Sequence, residues 1–402
     1  MKLTKIRLFA VIAALALVVA ACGDDDSGDA GDGDTATTTT AAATTTAGDG
    51  GGDMAMPGEG VEVTQARADW STGYFQAYVY HNLLEELGYD VSDPADSELG
   101  PSLAYLSMAQ GDIDFWVNSW MPGHLSWFEP ELPDGSQVGD HLTVVGEEMI
   151  AGGLQGFLVT KTFAEEFDIK YLSDIVNNPD ALAAFDAEDP VPGNGVADIY
   201  GCQQSFTCDD IIQNIIAFNE TQGIQPEGSM QQVIAGYDAM AAEATAKADE
   251  GTPMVIYTWT PSAYITNLRP GDNVVWLGVK EVLDDSNPAG LDGGAEHDQR
   301  PGTASIGEDQ CPSAADLGTC QVGWVVADIL VTANTEFLEA NPAAAELLEL
   351  VKLPVIDVSL ANVAQSTGAD TNEAILGLAE DWIEENRATV DAWLEQARAA
   401  AG

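Results

Sequence analysis

Past Gly60 the apolar positions fall into two spacings, alternation over short runs and every third or fourth position over longer ones. Val61-Glu62-Val63 alternates as an opening strand, residues 72–87 predict an amphipathic helix closed by Gly88, and Tyr89-Asp90-Val91 reads as the next strand. A second helix is expected over 101–110, stopped by Gly111, and a strand over 112–117 runs into Asn118-Ser119-Trp120-Met121-Pro122-Gly123-His124. Strands are further expected at 156–159, 253–257, 274–277 and 323–330, and helices at 162–167, 171–177, 209–219, 230–248, 342–351, 359–364 and 372–399. The Gly/Asp-rich stretch 284–319 reads as a surface loop. Strands alternating with helices imply α/β lobes with mostly parallel sheets. The roughly 340 residues beyond Gly60 suffice for two such lobes.

Ahead of Gly60 the pattern is different. Lys2, Lys5 and Arg7 precede an apolar run over 8–21 that is too short to span a bilayer comfortably, the layout of a signal peptide. It ends in Val19-Ala20-Ala21-Cys22, which resembles a bacterial lipobox, so 1–21 is expected to be a lipoprotein leader and Cys22 the lipidated N-terminus of an anchored chain. Residues 22–60 are Asp, Gly, Thr and Ala for the most part, without an aromatic or basic side chain, and predict a disordered tether. As a flexible coil its ends would stand on the order of 35 Å apart.

Composition narrows the partners. Thirteen Lys+Arg against 66 Asp+Glu give a formal charge of −53, which excludes nucleic acid or anionic lipid held through the surface. No G-x-S-x-G or H-E-x-x-H nucleophile or metal motif occurs, only 4 His are present, and no catalytic residue, metal or cofactor is expected. Apart from Cys22, the cysteines are Cys202, Cys208, Cys311 and Cys320. In a secreted chain four cysteines allow three pairings, among which sequence does not choose. The expectation taken here is the two short loops, Cys202–Cys208 and Cys311–Cys320.

The aromatics carry the candidate chemistry. Trp70, Trp120, Phe206 and Trp259 lie at or just past predicted strand ends, or within a turn bounded by Gly and Cys. Ligands of open α/β sheets bind at the carboxyl ends of strands. A ring-lined cleft suits a trimethylammonium group, which has a full charge but no N–H to donate and is held by aromatic faces.

Several tracts resemble the periplasmic glycine betaine/proline betaine-binding proteins of osmoprotectant ABC importers. They are Leu87-Gly88-Tyr89, Trp120-Met121-Pro122-Gly123-His124, Gly201-Cys202 through Cys208, Tyr257-Thr258-Trp259-Thr260-Pro261, the tract from Arg269 to Leu277, and Asn341-Pro342-Ala343-Ala344-Ala345. The resemblance implies a two-lobed periplasmic binding-protein fold of type II-like α/β architecture, with lobe 1 expected over 61–150 plus 332–402, lobe 2 over 151–331, and the cleft between them. It implies an ammonium box walled by Trp120 and Trp259, with Phe206 where the family has a third Trp; Trp70 matches a non-aromatic position of the family and is a candidate fourth wall from its own placement only. It implies further that His124 and the backbone N–H groups of Thr207 and Cys208 hold the ligand's carboxylate. The expected partners are a betaine, the importer's permease and ATPase subunits, and the membrane through the lipid anchor. Carnitine, choline and ectoine are the alternative ligands. The 284–319 loop has no counterpart in the family.

Overall fold

The computed structural model describes residues 56–204, 206–217, 222–280, 303–304 and 306–402. The expected leader 1–21, Cys22, the tether up to residue 55 and residues 284–302 of the Gly/Asp-rich loop lie outside the described residues. The last part of the expected tether belongs to the fold. Gly58 N–H donates to Leu87 O at 3.0 Å, and a Cβ at Gly58 would stand 2.4 Å from the Tyr89 ring, so only glycine fits this contact.

In chain order the main elements are α1 (Tyr74–Glu85), α2 (Pro101–Gln110), β1 (Phe115–Met121), β2 (Leu142–Thr160), β3 (Ala197–Tyr200), α3 (Thr207–Ala217), β4 (Met230–Val233), α4 (Tyr237–Glu250), β5 (Val255–Thr260), β6 (Val274–Leu277), β7 (Ala327–Asn334), α5 (Pro342–Leu350), α6 (Val355–Ser366), α7 (Asn372–Glu385) and α8 (Arg387–Ala400). Local chemistry sets several boundaries. Pro101 opens α2 at a position whose N–H has no helical acceptor, and Gly111 ends it at φ 77°, where a side chain would be strained. Helix α1 buries Phe75, Tyr78, Val79, Tyr80, Leu83 and Leu84, and packs against α5, α6 and α7.

Seven strands form one sheet in the order β1-β7-β2-β5-β3-β4, with β6 also beside β2. The expectation of mostly parallel pairing is overturned: β7 runs antiparallel to β1 and β2, β2 antiparallel to β5 and β6, and only β3 is parallel to its neighbours β4 and β5. The reason is the 19-residue strand β2. Its residues 142–153 pair with β7 and its residues 154–160 with β5 and β6, so it leaves one half of the molecule and enters the other. The chain returns along β7, and a return strand beside an outgoing one is antiparallel.

Most of β2 was not anticipated because glycines interrupt its alternation. A Cβ at Gly146 would meet Leu348 O at 2.1 Å, one at Gly153 the Trp120 ring at 2.7 Å, and one at Gly156 the Trp276 ring at 3.2 Å. These are sites of close approach rather than turn signals. Two further differences have local causes. Residues 230–233 form β4, in parallel register with β3, instead of beginning a helix, and α4 starts only after Gly236. The long C-terminal helix expected over 372–399 breaks at Asn386, whose N–H and Nδ2 both donate to Trp382 O.

Two small parallel pairs, Glu62–Val63 with Asp90–Val91 and Arg67–Ala68 with Glu98–Leu99, hold the segment leading into α1. This fixes the loop that carries Asp69 and Trp70. Cys202 is joined to Cys208 between β3 and α3, and Cys311 to Cys320 beside β6, with Cα separations of 5.8 and 5.9 Å.

Candidate functional site

A cavity of about 480 Å³ opens where these segments meet. Trp70, Trp120, His124, Phe206, Thr207, Cys208 and Trp259, the seven residues singled out from the sequence, all line it. Trp120 lies near the end of β1 and His124 four residues on, past Pro122 and Gly123. Trp259 lies near the end of β5, and Phe206 just ahead of α3. The rings are therefore carried by strand ends and turns, where side chains face the crevice.

His124 is buried, and its ring lies nearly parallel to Trp116 at a centroid distance of 5.9 Å. The Trp120 N–H points at its Nδ1 from 3.1 Å, and the Tyr105 hydroxyl is 2.9 Å from the same atom. A backbone N–H can only donate, so Nδ1 is the unprotonated nitrogen and Nε2 carries the proton. Burial holds the imidazole's pKa down to about 3, so it is a neutral donor at physiological pH.

On the opposite side, α3 begins at the cavity. The N–H groups of Thr207 and Cys208 head the helix and have no acceptor within it, the arrangement that favours an anion. The turn before them is held in several ways. The disulfide closes it, Gln232 on β4 accepts from Cys202 N–H at 3.3 Å and donates to Asp209 Oδ1 at 2.5 Å, and Trp127 Nε1 donates to Thr207 Oγ1 at 3.2 Å. Such a loop presents its N–H groups with little ordering left to do on binding.

Several lining residues were not foreseen. Tyr237, Tyr257 and Tyr264 surround Trp259 at centroid distances of 4.5, 5.9 and 5.4 Å. Their hydroxyls are tied down: Tyr237 to Tyr257 O at 2.6 Å, Tyr257 to Gln155 Oε1 at 2.6 Å, and Tyr264 to Asp238 Oδ1 at 2.5 Å. Trp259 Nε1 donates to Thr72 Oγ1 at 3.2 Å, which links β5 to the segment before α1. Tyr257 shares a strand face with Trp259 by alternation and could have been found that way. Tyr74, Tyr237, Tyr264, Asp69 and Asp238 also line the cavity and carry no such signal.

The fold and cavity are those of a solute-capturing protein, and comparison with known proteins identifies which kind. Residues 61–385 match the family model described as the substrate-binding domain of ABC-type glycine betaine transport systems, and the chain belongs to that family. It is 30% identical over 346 residues to the glycine betaine-binding periplasmic protein OusX of Dickeya dadantii, covering 86% of this chain and 92% of that one. It is 27% identical over 345 residues to the glycine betaine/proline betaine-binding periplasmic protein of Salmonella typhimurium, with the same coverage. Among solved structures, lactococcal OpuAC in its closed form with glycine betaine superposes with a TM-score of 0.56 at 15% identity, over 83% of this chain and 99% of that one. This last likeness establishes the two-lobed fold.

Proposed function

We propose that this chain is the extracytoplasmic substrate-binding lipoprotein of an ABC importer, and that its cavity captures glycine betaine or proline betaine without chemical change. The observation that carries the reading is the cavity's polarity. Aromatic faces from Trp70, Trp120, Phe206 and Trp259 gather in the same space as the His124 imidazole and the head of α3. Rings hold a trimethylammonium group, while a neutral Nε2–H and two backbone N–H groups donate to a carboxylate. A zwitterion with both ends satisfies both.

Family membership and relatives named for glycine betaine support the ligand assignment. The permease and ATPase subunits of the importer are the partners that follow from it. Cys22, at the end of the leader, is the residue we assign to lipid anchoring. The lobes are best divided where strand pairing changes hands. On β2 that falls between Gly153 and Leu154, close to the expected division at 150/151, and the expected return division at 331/332 lies within β7.

Calorimetric titration of the full chain with glycine betaine, proline betaine, carnitine, choline and ectoine tests the assignment. Tightest binding by the two betaines is expected. Preference for ectoine, or binding of none of the five, refutes it. Release of the chain from cell membranes by Cys22→Ala is the expected result for the anchor.

A further inference from the structure

The charged side chains that border the cavity are carboxylates. Asp69 enters from the loop ahead of α1 and Asp238 from the first turn of α4, and no Lys or Arg is among the described lining residues. The two acids stand differently. Asp238 is exposed, and its Oδ1 already accepts the Tyr264 hydroxyl. Asp69 is half-buried, and its Oδ1 is shielded from solvent with no hydrogen-bond partner among the described residues.

The nearby cation does not serve Asp69. Arg67 donates to Glu98 and to Asn372, and its guanidinium lies 3.7 Å above the Tyr74 ring. Burial pushes the Asp69 carboxyl above its ordinary range, and the Glu98 charge adds to the rise. A half-buried carboxylate with one oxygen shielded from solvent and lacking a partner is costly to maintain, and a cation entering beside it relieves that cost.

Gly100 locates the carboxylate against the rings. A Cβ there would stand 3.1 Å from Asp69 Oδ2 and 3.4 Å from Phe206 Cε1, so the carboxylate and the ring edge flank one corner of the cavity. Trp70 meets Phe206 edge-on at 5.4 Å in the same corner. Methyl groups resting on these rings would bring a quaternary nitrogen close to the acid.

Building on the quaternary-ammonium reading above, we propose that Asp69 is a specificity-determining residue, the counter-charge to the ligand's ammonium that sets the balance between zwitterionic betaines and net-cationic quaternary alcohols such as choline. For a betaine, attraction of Asp69 for the ammonium is partly offset by repulsion of the ligand's own carboxylate. A ligand with a hydroxyl in that place feels attraction alone, so its affinity depends more strongly on Asp69.

The test is titration of full-length wild type, Asp69→Asn and Asp69→Ala with glycine betaine and choline, with thermal melting of each. Asp69→Asn is expected to weaken choline about tenfold or more and glycine betaine less than about threefold, with the melting temperature unchanged or raised. Asp69→Ala should show the same ordering should the amide prove poorly folded. Equal losses for both ligands, no loss for either, or a wild type that binds betaine but no choline overturns this assignment while leaving the betaine site standing. A wild type that binds neither ligand overturns the quaternary-ammonium reading, and this assignment with it.

Discussion

The two sides of the cavity use similar residues and hold them in different ways. On the β1 side Trp120 is buried without an aromatic partner among the described residues, lying close over Gly153, with His124 pinned through Nδ1. On the β5 side Trp259 is one of four mutually packed rings, with Tyr237, Tyr257 and Tyr264, and each ring is oriented by a hydrogen bond from its own polar atom. On one side Trp120 stands apart from the other rings, its Nε1 donating to Asn118 Oδ1 at 3.5 Å. The other is a cluster in which neighbours can partly replace a lost member.

The largest expected effect follows from that asymmetry. Trp120→Ala should weaken betaine about a hundredfold, the combined loss of a desolvated cation–π face and of apolar burial. Trp259→Ala should cost about tenfold, because three tyrosines remain around the gap. Titration of both variants, with melting to verify folding, decides the point. A larger loss in Trp259→Ala breaks the contrast.

His124→Ala comes next. It should weaken glycine betaine about tenfold and choline less than about threefold, since only a carboxylate loses the Nε2–H donor. Equal losses for the two ligands would remove His124 from the carboxylate end. This pattern is the mirror image of the one expected at Asp69, and the two variants measured together locate both ends of the ligand.

Phe206 sharpens the comparison where the two sides touch, through its edge-on contact with Trp70. Phe206→Ala should lower affinity strongly in a folded protein. Phe206→Trp should tighten betaine by about 0.5–1 kcal/mol at most, because a larger ring in a shaped corner meets overpacking. Unchanged affinity in folded Phe206→Ala would reduce this ring to loop packing.

The smallest effect concerns pH. Among the described lining residues, only His124, on the β1 side, has an ordinary pKa near neutrality, depressed in the fold to about 3 from 6.5. In the interval between those values the unfolded chain binds the proton and the folded one does not. The stability His124 contributes is therefore full above pH 6.5 and is lost as pH falls toward 3. Melting curves should show wild type losing stability over that interval more steeply than His124→Gln. Parallel curves would mean that the imidazole is not held neutral.

What could be read from the chain alone was chemistry carried by near neighbours in sequence. Pro101 and Gly111 delimit α2 because capping is settled within one turn of helix. Trp120 and His124 sit four residues apart across a Pro-Gly turn, so their meeting at one cavity was legible, as was the position of rings at strand ends. Contacts between distant segments were not. The glycines of β2 answer to Leu348, Trp120 and Trp276, residues that only folding brings alongside, and without those neighbours they look like breaks in a strand. The antiparallel sheet follows from the chain crossing outward on β2 and back on β7 some 170 residues later, a relation that hydrophobic alternation cannot encode. The tyrosines around Trp259 and the partnerless Oδ1 of Asp69 came to line the cavity for the same reason. Burial and partner choice are set by what the rest of the chain places against a residue, and only the three-dimensional structure supplies that.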